Sequence, residues 1–410
     1  MKTQFLALLL ARVFATAVQA LTFILLARWA GVRDFGTVGI IAGICAVLFT
    51  VADWGLSSYI PRARAVGKND DVVAGIRMDF VGNAVAGTLA ATVIGALSVP
   101  LGISAWFILV PLGLAIEQFV EVALTVPIAD KNKRSFVFSL VLRRVVSVVI
   151  FVSLHLLAFE AVASYAIAVL TASAVGFLHV VGVLRNRLGG MRTRSSSAEL
   201  YRRLIPYLLA NLSAQSRTLD TAVVGAVSSL SSAGLYSAAF RLVNPLMLVS
   251  SSLVAVLLPH ASRKDLRQTR RIGRVLSCGA IILCVAMIPV ISNAGQVMEF
   301  LFGREFAAAA PAFALAIAAL PFLSLAPPLG GLLQSQGFER FVAVNGVTFA
   351  ALNLALVFVG ATFWGPAGAA AGVAVTYAGK SMSLLIRLET ARRPDEPSQL
   401  HGQTVQLRTA

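Results

Sequence analysis

Charge is scarce in this chain. Only 13% of its 410 residues are Asp, Glu, Lys or Arg, against 58% apolar residues. No water-soluble domain has that balance sustained from end to end in apolar runs of near-spanning length. Acidic residues are the scarcer sign, 18 against 34 Lys and Arg. Only three cysteines occur (Cys45, Cys278 and Cys284), all inside apolar runs without metal-ligand spacing. That excludes a disulfide scaffold and a cysteine-based metal centre. The chain also lacks a Gly-x-Ser-x-Gly nucleophile elbow, a His/Glu zinc motif, a Walker sequence and any polar stretch long enough to fold as a separate catalytic domain. Neither a hydrolase of those classes nor ATP-driven transport by this chain alone is expected, and no cofactor is implied.

What is present is helix after apolar helix. A membrane-crossing helix needs about 20 apolar residues. Twelve such segments can be read, at 5–27, 37–60, 79–99, 105–128, 136–158, 162–184, 204–227, 233–258, 273–292, 307–333, 341–363 and 367–386. The expected fold is an all-α polytopic membrane protein of about twelve transmembrane helices. Lys2, an apolar run and Val18-Gln19-Ala20 imitate a signal peptide. Arg12 interrupts the run, and cleavage would leave an odd span count, so the segment is read as an uncleaved first helix.

The net charge of +16 is concentrated in alternate loops. Arg62, Arg64, Lys68 and Arg77 form one cluster; Lys131, Lys133, Arg134, Arg143 and Arg144 a second; Arg185 to Arg203 a third; Arg263 to Arg274 a fourth. The other side carries only Arg28, Arg33 and Arg304. This is the positive-inside pattern with both termini cytoplasmic. The basic loops are read as topology signals and contacts to anionic membrane lipids, not as a nucleic-acid site.

The longest polar break, 185–203, contains Gly189-Gly190 and Ser195-Ser196-Ser197 and reads as a cytoplasmic linker. It divides an N-terminal six-helix lobe (1–184) from a C-terminal one (204–390), with a polar tail at 391–410. Gly36 and Gly234 open the second and eighth spans, and Pro61 and Pro259 close them, both pairs at one common offset. Six spans per repeat keep the halves in the same orientation. Transporters built this way hold their substrate between the repeats.

Arg12, Arg217 and Arg241 each sit inside a span. A charge there costs roughly 2.5–3.5 kcal/mol on the insertion scale and persists where it meets water, a partner or an anion. Arg12, Thr16 and Gln19 share one helix face. Arg217 and Asp220 lie in a seventh span that is polar nearly all round, and Arg241 and Asn244 stand one turn apart before Pro245, where a kink is expected. Two readings stand. Arg217 can pair with Asp220, and Arg12 can snorkel; or the three arginines serve an anionic substrate with Gln19, Asp220 and Asn244 beside them. Asp53, Glu117 and Glu121 are the candidates for ion coupling by a proton or sodium, with structural pairing to arginine as the alternative; for Asp53 the partner would be Arg12 or Arg241.

Several landmarks then resemble one family. Ser232-Ala233-Gly234-Leu235-Tyr236-Ser237-Ala238-Ala239-Phe240-Arg241-Leu242, with Leu219-Asp220 before it, is similar to the central signature of bacterial polysaccharide repeat-unit flippases. Asp34-Phe35-Gly36, Asp53-Trp54-Gly55-Leu56, Phe300 to Phe306 and Gly365 to Ala370 follow in order along the whole chain. The superfamily also holds multidrug and toxin extruders and lipid II flippases. The resemblance implies two six-helix lobes around a central cavity. It also implies movement of an undecaprenyl-pyrophosphate-linked oligosaccharide across the bacterial cytoplasmic membrane by alternating access. Lipid II flippases usually carry two further C-terminal helices, for which the tail here is too polar. The competing readings are an ion-coupled multidrug exporter, a lipid II flippase and a membrane polysaccharide polymerase. A cation exporter is disfavoured by three intramembrane arginines, and a polymerase by short outward loops.

Overall fold

The computed structural model describes residues 2–189, 197–247 and 266–390, and every regular element among them is helical. Ser195 and Ser196 of the linker, Pro259 and the 391–410 tail lie outside the described residues. Eight described helices are long and apolar enough to cross a membrane, and the chain is a multi-pass membrane protein.

Two helices are too long for one crossing. The first, α1 (Lys2–Asp53), and the last, α15 (Glu339–Thr390), have 52 residues each. At 1.5 Å per residue each would measure about 78 Å, more than twice the hydrocarbon thickness. Each turns at one glycine with positive φ, Gly31 (φ 76°) and Gly365 (φ 59°), a conformation that a Cβ would strain. In α15 the arms then pack directly: a Cβ on Gly368 would meet Gly360, and one on Gly372 would meet Leu356. This is the close small-residue packing expected of that stretch. In α1 the rings of Phe23 and Phe35 both lie within 5.5 Å of the Arg241 guanidinium carbon. In a straight helix those residues would be about 18 Å apart, so the arms fold back.

Between them run α2 (Leu56–Ala65), α3 (Asn69–Leu101), α4 (Leu109–Ala123), α5 (Thr125–Ala129), α6 (Lys133–Leu156) and α7 (Ala161–Leu188). The second half begins with α8 (Ser197–Gln215), α9 (Asp220–Val227) and α10 (Leu230–Val243). It continues through α11 (Leu266–Ala286), α12 (Ile288–Ser292), α13 (Ala294–Phe302) and α14 (Ala310–Gln334). These bounds follow the expected spans closely, but twelve as a count is not confirmed. The seventh span is split into α8 and α9, and the eighth runs from α10 into residues outside the described ones.

The two halves meet where the second arm of α1 crosses α10. Gly36 and Gly234, matched by position in the sequence, touch each other there: a Cβ on Gly36 would overlap Leu230 and Gly234, and one on Gly234 would overlap Val32. Farther along the same arm, Gly39 and Gly43 lie against Ser237 and Thr218. One small-residue face thus carries the contact between halves.

Candidate functional site

Two helix interruptions shape the site. Between α8 and α9 the chain tightens into a 3-10 turn, Ser216–Leu219, where hydroxyl side chains compete for backbone carbonyls; Thr218 Oγ1 donates to the carbonyl of Gln215 at 2.7 Å. After α10 a second 3-10 turn, Asn244–Met247, contains Pro245, the expected kink. The first turn carries Arg217 and the second carries its partner: Nη2 of Arg217 donates to Asn244 Oδ1 at 2.9 Å.

Between these turns and the glycine face of α1 lies a cavity of about 210 Å³, walled by Gly39 and Gly43 on one side and by Arg217, Asp220, Arg241 and Asn244 on the other. It brings together four of the six expected substrate-facing residues. Arg241 stands at its edge with its guanidinium carbon 3.5 Å from the centroid of Phe23, held by Nε donating to Ser237 Oγ at 3.0 Å. Among the described residues, no carboxylate lies within ion-pairing distance of Arg217 or Arg241. Asp220, only 2% exposed, accepts from Tyr236 at 3.2 Å and Asn353 at 2.8 Å instead of closing onto Arg217.

Arg12 and Gln19 are not brought to this cavity. Arg12 is exposed, 5.7 Å from the Phe136 ring centroid, and Gln19 is half-buried. The common helix face of Arg12, Thr16 and Gln19 therefore lies apart from the cavity that Arg217 and Arg241 share. Glu117 and Glu121 take the structural alternative. Arg143, 3% exposed, bonds both, and Arg144 reaches Glu117 at 2.7 Å. Asp53 meets neither Arg12 nor Arg241. Its oxygens take the backbone N–H of Ser57 at 3.0 Å and the Ser57 hydroxyl at 2.7 Å. His155 stacks on Trp29 and His179 packs edge-on to Phe138, as packed histidines.

Sequence reading missed the aromatic seat of Arg241 on Phe23 and the Asn353 partner of Asp220. Gly36, Gly39 and Gly43 were the available signal for a close helix contact. Nothing in one sequence links residue 353 to residue 220.

Among the described residues, no His, Cys, Asp and Glu group suited to a metal occurs. Solved structures that match include transporters and a flippase. An inward-facing multidrug resistance MATE family transporter of the MOP superfamily matches with a TM-score of 0.69 at 15% identity, over 92% of this chain and 94% of that one. The lipid II flippase MurJ, in an inward closed conformation, matches with a TM-score of 0.70 at 14% identity, over 93% of this chain and 87% of that one. A mutant of the Vibrio cholerae MATE transporter VcmN matches with a TM-score of 0.62 at 14% identity, over 94% and 96%. No curated protein matches the sequence. The model of one family, described as polysaccharide biosynthesis protein, covers residues 25–311. With the helical architecture, that match over more than half of the sequence shows that the chain belongs to the polysaccharide biosynthesis protein family.

Proposed function

We propose that this protein is a flippase that moves an undecaprenyl-pyrophosphate-linked oligosaccharide across the bacterial cytoplasmic membrane for cell-surface polysaccharide export. It works by alternating access of an N-terminal lobe (1–184) and a C-terminal lobe (204–390), with both termini cytoplasmic. One observation carries the reading: Arg217 and Arg241 share a cavity between the halves, and no carboxylate among the described residues is paired to either. Guanidinium groups held in place by neutral partners keep their charge available, and their planar fork matches phosphate oxygens. At about 210 Å³ the cavity suits a diphosphate and not a glycan, which needs a wider, open space. Asp220 is engaged by Tyr236 and Asn353, and two arginines against one aspartate leave a net positive balance that disfavours a purely cationic cargo.

The test uses the purified full chain in lipid nanodiscs, with farnesyl diphosphate as a soluble probe of the lipid-diphosphate headgroup and ethidium as a probe of cationic drugs. Saturable farnesyl diphosphate binding that is lost in Arg217→Gln/Arg241→Gln, with ethidium unable to compete, is the expected result. Ethidium binding that survives in the double variant, without diphosphate binding by the wild type, overturns the reading in favour of a drug exporter.

A further inference from the structure

A furrow runs along the first half of the chain and shares no residue with the arginine cavity. Its walls are the second arm of α1 and the stretch of α3 from Ala74 to Leu89, and Trp54 and Tyr201 border it as well. It encloses about 610 Å³, against about 210 Å³ for the arginine cavity. Small residues bring its walls together at the bottom: a Cβ on Gly82 would come within 2.8 Å of the Ala52 carbonyl oxygen. Larger side chains stand along α3. Arg77, Val81, Val85 and Leu89 follow at every fourth position and so form one stripe. The three apolar members are 52%, 63% and 57% exposed.

The stripe has the length of one lipid chain. From Arg77 to Leu89 the helix rises about 18 Å. A single leaflet supplies half of a hydrocarbon core of about 30 Å, so the furrow matches its depth. The Arg77 end follows the basic residues Arg62, Arg64 and Lys68, which mark the side expected to be cytoplasmic. Trp54 and Tyr201 stand edge-on to each other at 4.9 Å, and Trp and Tyr are the side chains that favour the level of the lipid headgroups.

Charge identifies the headgroup. Arg77 is exposed and, among the described residues, takes part in no ion pair. Its basic neighbours are engaged: Arg62 meets Tyr207, Arg64 holds Asp130, and Arg203 reaches Asp71. No acidic residue lines the furrow, and the nearby acids of α1 and α3, Asp53 and Asp79, are 1% and 0% exposed. A guanidinium beside an apolar furrow needs an anion, and the bilayer supplies phosphate at that height. One such group matches the single charge of a phosphodiester. The surrounding basic residues disfavour a headgroup that also carries an ammonium.

We propose that this furrow is a binding site for an anionic glycerophospholipid, with the phosphate on Arg77, the glycerol beside Trp54 and Tyr201, and one acyl chain along Val81, Val85 and Leu89. Tyr201 belongs to α8, and a Cβ on Gly55, next to Trp54, would run into Tyr207 and Leu208 of the same helix. The lipid thus lies across the seam between the α1–α2 turn and the second half of the chain. This site does not rest on the flippase reading, since it uses neither Arg217 nor Arg241.

The test follows Trp54 fluorescence in the full chain, with Trp29, Trp106 and Trp364 changed to phenylalanine so that one tryptophan remains. The protein is placed in phosphatidylcholine vesicles, and increasing fractions of either phosphatidylglycerol or phosphatidylcholine brominated on the acyl chains are introduced as quenchers. Half-quenching by the phosphatidylglycerol is expected at a mole fraction about five- to tenfold lower than by the phosphatidylcholine, the value of one basic contact at the membrane surface. Arg77→Gln should bring the two half-points together, and Arg77→Lys should keep most of the difference. Arg271→Gln, an exposed charge on α11, should leave it unchanged. Equal half-points in the protein with Arg77 intact, a preference that survives Arg77→Gln, or an Arg271→Gln protein that loses as much as Arg77→Gln would each overturn the proposal. Farnesyl diphosphate, added at concentrations that saturate the arginine cavity, should leave Trp54 quenching as it is. Displacement of the brominated lipid by that probe would assign the furrow to the prenyl cargo instead, whereas its failure to bind at all bears only on Arg217 and Arg241.

Discussion

Two sets of arginines within the helical bundle, one in each half of the chain, have been given opposite surroundings. Arg143 is enclosed by Glu117 and Glu121, with Arg144 sharing Glu117, so its charge is consumed inside the helix bundle. Arg217 and Arg241 have an amide, a hydroxyl and an aromatic ring, and no carboxylate within bonding distance among the described residues. The first arrangement costs desolvation and recovers it by pairing; the second leaves charge available to something that is not part of the fold. An arginine inside the bundle thus points to a ligand only when its partners are neutral.

The sharpest way to break this comparison is to remove each charge and read stability and binding separately. Arg143→Met leaves Glu117 and Glu121 in an environment built for a cation, and a loss of about 3–5 kcal/mol in folding stability is expected, measured as chemical denaturation in detergent. Adding Glu117→Gln and Glu121→Gln should recover part of it. If Arg143→Met is as stable as wild type, the cluster is not the structural pair inferred here.

The opposite signature is expected of Arg217→Gln: little change in unfolding, but farnesyl diphosphate affinity weaker by about 1.5–3 kcal/mol, the value of a charge-assisted contact. That is roughly a 10- to 150-fold change in Kd. Arg217→Lys should recover only part, since an ammonium lacks the planar fork. A large stability loss with unchanged affinity would move Arg217 into the class of Arg143.

Asp220 sharpens the contrast further. Because its bonds go to Tyr236 and Asn353, adding Asp220→Asn to Arg217→Gln is not expected to restore polymer export in a complementation assay. Restoration would mean that the arginine had served the aspartate all along.

The smallest effect belongs to a peripheral pair. Asp130, in the turn before α6, accepts from Arg64 at 2.8 Å and from Arg187 at 2.5 Å, and the Arg64 hydrogen bond is the first cause that holds its carboxyl below the ordinary value of 3.8. A depressed carboxylate stabilises the fold fully above its unfolded value and loses that contribution as pH falls through the folded one. Arg64→Ala should therefore cost about 0.2–1 kcal/mol at neutral pH, and the difference from wild type should fade only below about pH 4. An equal difference at all pH values would show that packing, and not charge, is lost.

How far the sequence could be read depended on whether a signal was local. The turn at Pro245, the polar seventh span and the close packing after Gly365 were legible, because proline, hydroxyl competition and small-residue spacing act within a few residues. Three arginines in apolar runs marked charges that needed an explanation. Which of them shared a cavity was not legible: Arg12 and Arg217 carry the same chemistry in sequence and only one reaches it. Asp53 was visible as a buried acid, but its partner Ser57 was not, since the left-handed turn at Trp54 and Gly55 brings the carboxyl to the start of α2. By itself the sequence determined the membrane class, the helix positions and the supply of intramembrane charge, because apolar length and residue type act on each helix alone. Only the tertiary structure decided which charges are neutralised and which remain available, because pairing depends on helices brought together from distant parts of the chain, over distances of a few ångströms.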